Sequence, residues 1–185
     1  MAGAQNMPDD ALHAQRAYLA QLLDALQRCA YFLGASIARL SWPLDGTFLA
    51  EHKKDATLFE TLAAVNERFA KLQDLLGAAM KHSALLMAEP TSSFLQVLAL
   101  FDRLGVIDQI DDWHRCRAAR NLAAHDYDTE YTAIAVHFNT LHGLYPTLLG
   151  TASRLLAVSA DRLRVVPSSG DFADEFARLM AARQR

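Results

Sequence analysis

The chain has 185 residues, 52% of them hydrophobic, which is enough to bury one sizeable core and too few for two comfortable domains. Its formal net charge is −3 and its pI is near 6.1. That excludes the global basic field of a general nucleic-acid binder, so any contact with RNA must be local.

Residues 1–8 read as a disordered lead. The N-terminal stretch lacks the basic start and unbroken apolar run of a signal peptide, and no segment approaches the ~20 apolar residues that span a bilayer. A soluble, cytoplasmic protein with no membrane contact is therefore expected. From about Asp9 to Leu40 a long helix is predicted, because Leu12, Leu19, Leu26, Leu33 and Leu40 recur every seven residues with Leu23, Ala30 and Ile37 beside them. The stripe is a core seam, or partly a dimer seam. Ser41, Trp42, Pro43, Asp45 and Gly46 then form a turn-rich connection.

A second helix is predicted from about Asp55 to Leu86, where Leu58, Leu62, Val65, Phe69, Leu72, Leu76 and Ala79 alternate four and three apart, the spacing of a helix bundle. Pro90 and Thr91 open a shorter helix through Phe94, Val97, Leu98, Phe101 and Leu104, with Thr91 as N-cap and Gly105 as C-terminal stop. A helix from about Ile107 to Ala124 follows. The next begins near Thr129, carries Ile134, Phe138, Leu141, Tyr145, Leu148, Ala152 and Leu155, and is expected to kink at Pro146. Val165 to Gly170 reads as a linker before a short helix bearing Phe172, Phe176, Leu179 and Met180. The cysteines, Cys29 and Cys116, fall on different helices without metal-ligand spacing and read as reduced core residues. No strand alternation or internal repeat is evident. The expectation is an all-α protein, an up-and-down four- to five-helix bundle over residues 9–164, followed by a linker and short extra C-terminal helix over 165–185.

One stretch, WHRCRAARNLAAHDYD from Trp113 to Asp128, carries residue types that ask for chemistry. Arg120 offers a permanently charged fork of donors suited to phosphate. His125 can both take and give a proton near neutral pH. Together they form a minimal kit for cutting a phosphodiester without a metal or any other cofactor. On an uninterrupted helix the two would lie about 140° apart. They converge only if the helix ends near His125, as the N-cap types Asp126 and Asp128 suggest, or if a second copy of the chain supplies the missing partner. Trp113, Arg120 and Tyr127 repeat every seven residues on one line, while Asn121 and His125 are four apart. Arg115, Arg117 and Trp113 are candidate RNA contacts, although Asp111, Asp112, Asp126 and Asp128 offset the local charge. His114, His137 and His142 lack zinc-ligand spacing, so no metal site is expected. No phosphate-cradling glycine loop, nucleophile elbow or paired-carboxylate constellation stands out.

The pattern Arg120, Asn121, three small or apolar residues, His125, any residue, Tyr127 resembles the signature of the HEPN superfamily, and with its Tyr the more specific form found in HepT-type toxins. The preceding PTSSFLQVLALFDRLGVID resembles the helix, glycine turn and helix start found before that motif, and the similarity covers roughly residues 55 to 160. The resemblance implies an endoribonuclease toxin that acts as a homodimer on RNA. It assigns catalysis to Arg120 and His125, with Asn121 and Tyr127 in support. It also implies an MNT-type minimal nucleotidyltransferase as antitoxin, which silences the toxin by attaching AMP to Tyr127. A second expectation is a non-catalytic bundle that binds such a nucleotidyltransferase, or is modified by it, without cutting RNA.

Overall fold

A computed structural model describes residues 6–121 and 130–182. Within them lie seven helices and no strand. The first, α1 (Asn6–Ile37), is joined to the long α3 (Ala56–Leu86) by a turn and a short α2 (Gly46–Glu51). Two shorter helices follow, α4 (Phe94–Arg103) and α5 (Ile110–Asn121), then the long α6 (Tyr131–Leu163) and the C-terminal α7 (Ala173–Ala182). The chain is all-α, and none of the described helices is long and apolar enough to cross a membrane.

The heptad stripe of α1 becomes the core because α3 lies antiparallel against it. The His82 ring Nε2–H donates to the Gln15 carbonyl at 2.9 Å near one end of the pair, and Arg68 donates to the Phe32 carbonyl toward the other. Leu19, Leu23, Leu26, Ala30, Leu33 and Ile37 are buried there against Leu62, Val65, Phe69, Leu72, Leu76 and Ala79 of one shared cluster. The stripe runs out at both ends. Leu12 is 46% exposed, one turn beyond the Gln15 contact, and Leu40 falls after the helix has stopped at Ile37. At its start the helix reaches back to Asn6, so residues 6–8, assigned to the lead, are helical.

Capping groups set the element boundaries. Asp55 accepts from the Leu58 amide at 3.0 Å and starts α3. For α4 the cap is Ser93, two residues later than the expected Thr91. The Gln96 amide donates to Ser93 Oγ at 3.3 Å, and the Ser93 amide donates to Gln96 Oε1 at 3.2 Å. Only Ser93 has a Gln three residues on to complete this reciprocal box, worth about 1 kcal/mol against a non-capping residue. Gly105 stops α4 as expected. With φ at +67°, a conformation that costs glycine nothing, it lets its own amide reach the Asp102 carbonyl and the Val106 amide reach that of Phe101.

The sequence reading did not distinguish α2. Asp45 caps it by accepting from the Thr47 amide at 2.6 Å, and the turn before it is pinned to α6. The Leu44 amide donates to Asn139 Oδ1 at 2.7 Å, and Asn139 Nδ2 donates back to the Leu44 carbonyl at 2.9 Å. Helix α6 starts at Tyr131 and passes Pro146 as a single helix to Leu163, where Arg16 of α1 donates to the last carbonyl. The expected linker at 165–170 is a strap fastened along α1. The Ser168 amide donates to the Ala20 carbonyl at 3.1 Å, and Ser169 Oγ donates to Asp24 Oδ1 at 2.7 Å. Phe172 then packs by Tyr31 and Phe32, and α7 buries Phe176.

Burial also decides the cysteine chemistry. It pushes the Cys29 thiol up to about 11, against the opposing charges of Lys71 and Arg68. Cys116 is raised to about 12 by burial, with the Asp112 carboxylate adding to the effect. A thiol reactive only as thiolate is then almost wholly protonated at pH 8. Labelling of the folded chain with a maleimide at that pH is expected to be slow at both positions, and unfolding in guanidinium should release two fast-reacting thiols. Fast native labelling of Cys116 would contradict this packing.

A candidate site between α3, α4 and α5

Helix α5 lies antiparallel to α3, and two contacts hold the pair. Gln73 Nε2 donates to the Trp113 carbonyl at 3.2 Å, and the Arg120 guanidinium pairs with the Asp74 carboxylate. The apolar face of α5 is short, formed by the buried Trp113, Cys116 and Ala119. Trp113, Arg117 and Arg120 sit four and three apart, a spacing that places them on one side of the helix. Gln73, Asp74, Gly77, Ala78 and Lys81 do the same on α3. Between the two stripes lies an open groove of about 390 Å³, closed at one side by Phe94 of α4.

Gly77 lets the Phe94 and Trp113 rings close over α3, where a Cβ would meet them at 3.4 and 3.7 Å. The walls are aromatic, with the Phe94 and Trp113 rings 5.8 Å apart and inclined at 42°. Trp113 is only 6% exposed, so it serves as packed wall rather than as a free stacking platform. The rim is cationic. Lys81 stands on the α3 side and Arg117 and Arg120 on the α5 side, against the single carboxylate of Asp74. Among the described residues only Arg120 of these three cations has an ion-pair partner. That pair is solvated, with side chains 31% and 58% exposed. Such pairs contribute less than about 1 kcal/mol to stability, and the effect of Asp74 is to hold the guanidinium over the groove.

The structure divides the sequence-predicted residues. Arg120, Arg117 and Trp113 come together in the groove. Arg115 does not, and pairs with Asp112 one turn back at 3.0 Å. Asn121 is the last residue of α5. His125 and Tyr127 lie outside the described residues, as do Asp126 and Asp128, the expected N-cap types. Glu130, expected in the first turn of the next helix, is its N-cap without a side-chain capping bond.

Five groove residues were not anticipated: Gln73, Asp74, Gly77, Ala78 and Lys81. Their signal was present in the sequence, since Asp74 and Lys81 flank a Gly–Ala pair on the side of α3 away from its Leu register. Nothing in the sequence says which helix covers that side.

Of the histidines considered for metal binding, His114 is exposed, while His142 and His137 have structural partners. His142 stacks on Trp42 with centroids 4.2 Å apart, and its pKa is lowered by burial. His137 Nε2 lies 3.2 Å from Asn66 Oδ1. Among the described residues no group of three His, Cys, Asp or Glu side chains is placed to hold a metal ion. Comparison with protein-family models, with curated proteins and with solved structures finds no match to this chain.

Proposed function

We propose that the chain is a metal-independent endoribonuclease of HEPN type, the HepT-like toxin of a toxin–antitoxin pair whose antitoxin is an MNT-type nucleotidyltransferase. The observation that carries the reading is the pattern Arg120, Asn121, His125, Tyr127 in one short stretch, with Arg120 presented on a cation-rimmed groove. In this reading His125 removes the proton from a ribose 2′-hydroxyl or donates one to the leaving oxygen. The freed oxygen attacks the adjacent phosphorus, and the 5′-oxygen of the next nucleotide leaves with a proton. The strand then ends in a 2′,3′-cyclic phosphate. Arg120 stabilises the charge that gathers on the phosphate oxygens. A homodimer of up-and-down bundles brings two such segments to one cleft, and addition of AMP to Tyr127 by the antitoxin silences it.

The mildly acidic chain, net charge −3, favours a second reading: a non-catalytic bundle that binds the nucleotidyltransferase or carries AMP on Tyr127. Induced expression of the intact chain beside His125→Ala separates the two. Growth arrest with RNA fragments from the intact chain alone is the expected outcome. Equal, harmless behaviour of two folded proteins would leave the binding module.

A further inference from the structure

We propose that Gln73 is a positioning residue for Arg120: its side-chain amide fixes the register of α5 on α3, and so decides that the guanidinium stands beside Asp74. The proposal rests on the ribonuclease reading for what Arg120 does, and on the packing of α5 alone for how Arg120 is placed.

Gln73 occupies a position that packing would give to an apolar side chain. Leu72 and Leu76 flank it on α3, Met80 lies seven residues on at the same helical position, and Gln73 itself is only 2% exposed. Its Nε2 donates to the Trp113 carbonyl at 3.2 Å, while its Oε1 is buried without a hydrogen-bond partner among the described residues. A buried amide satisfied on one side only lowers stability relative to an apolar group of the same shape. Packing therefore does not account for Gln73, and what the residue adds is direction.

Direction is what the contact between α3 and α5 otherwise lacks. Helix α5 buries Trp113, Cys116 and Ala119, and apolar contact is non-directional. The chain ahead of α5 is tied to α6, where Arg154 donates to the Val106 carbonyl at 2.9 Å and to Asp108 at 2.8 Å, but that tie precedes the helix. The Arg120–Asp74 pair is solvated and too weak to select a register by itself. The Gln73 bond is buried, and it holds α5 at Trp113, two turns from Arg120 on the same side of the helix. A slip of one residue would carry Arg120 about 1.5 Å along the axis and about 100° around it, away from Asp74. A misplacement of about 1 Å is enough to slow a reaction by up to about 10²-fold.

The test is Gln73→Met, which keeps the length of the side chain and removes the donor. This variant should fold with an unchanged or higher melting temperature. Its single-turnover rate on a labelled RNA should nevertheless fall about tenfold or more, with KM within about threefold of the parent. In that background Arg120→Ala should have little further effect, because a misplaced guanidinium has no contribution left to lose. Gln27→Met removes another buried amide with an unpartnered Oε1, on α1, and should leave cleavage unchanged. A second arm needs no activity. The NMR signal of the Arg120 Nε–H group, assigned by its loss in Arg120→Ala, should shift on Asp74→Asn in the parent and hold still on Asp74→Asn in Gln73→Met. Gln73→Leu carries the same expectations where the Met variant fails to fold.

If folded Gln73→Met matches the parent in rate while the intact chain cleaves RNA, or if its Arg120 signal still responds to Asp74, the positioning role is overturned. Equal loss of activity in Gln27→Met overturns it too, since removal of any buried amide would then explain the effect. Unfolding of both Gln73 variants has the same consequence, because Gln73 would then serve stability. If no chain cuts RNA but the Arg120 signal loses its response to Asp74 in Gln73→Met, the placement stands and the cleavage reading falls.

Discussion

On the proposed ribonuclease reading, Arg120→Ala should lower RNA cleavage by about 10²–10³-fold, the range that follows loss of one preorganised donor to a transition-state oxyanion, while the melting temperature stays nearly constant. The two halves of this expectation have separate causes. Arg120 and Asp74 form a solvated pair at the groove mouth, so its removal costs less than about 1 kcal/mol of stability. In the proposed reaction the charge on the phosphate grows, by contrast, and a guanidinium already held in place would meet it without further ordering.

Arg120→Lys should recover little, because an ammonium is a point charge without the planar fork that contacts two phosphate oxygens at once. Asp74→Asn should have a smaller effect with a different signature. The guanidinium remains but is less well positioned, so kcat should fall more than KM rises, and the pH profile of cleavage should be unmoved. Single-turnover cleavage of a labelled RNA with thermal denaturation of each variant is the measurement. Full activity of folded Arg120→Ala would remove Arg120 from the mechanism.

Two leucines of one heptad stripe should behave oppositely. Leu26 is fully buried where α1 crosses α3, and Leu12, fourteen residues earlier, is 46% exposed. Leu26→Ala leaves a cavity in a packed core and should cost about 2–5 kcal/mol, lowering the melting temperature by very roughly 5–20 °C for a chain of this size. Leu12→Ala should change stability by less than about 0.5 kcal/mol. Chemical denaturation of both variants reads the difference directly. A large loss at Leu12, growing with protein concentration, would mean that a second copy covers it, since a dimer stabilises its folded protomers by mass action.

Leu19 through Leu33 and Leu62 through Ala79 were legible as core because burial on a helix imposes a spacing that any reader of the sequence can find, and both sets are buried. Gly105 was legible because left-handed backbone at a helix end almost demands glycine. Caps were harder to place. Thr91 and Ser93 are both capping types, and the choice fell to Gln96, whose side chain completes only one of the two boxes. Pro146 falls inside α6, which continues past it as one helix between buried Leu144 and Leu148. The strap at 168–169 looked like a linker because its two serines carry no periodicity, and the partners that fasten them, Ala20 and Asp24, stand on α1.

What the sequence determined by itself was the all-helical class, the two long apolar stripes and the grouping of Arg120, Asn121, His125 and Tyr127, for each depends on residues near one another along the chain. Which residues stand around Arg120 was decided only by tertiary structure. Asp74 and Lys81 are more than thirty residues away from it, on a helix whose apolar register gives no sign of what covers its other side. Packing α5 against α3 through Gln73 and Trp113 is what turns an arginine on a helix into an arginine on a groove.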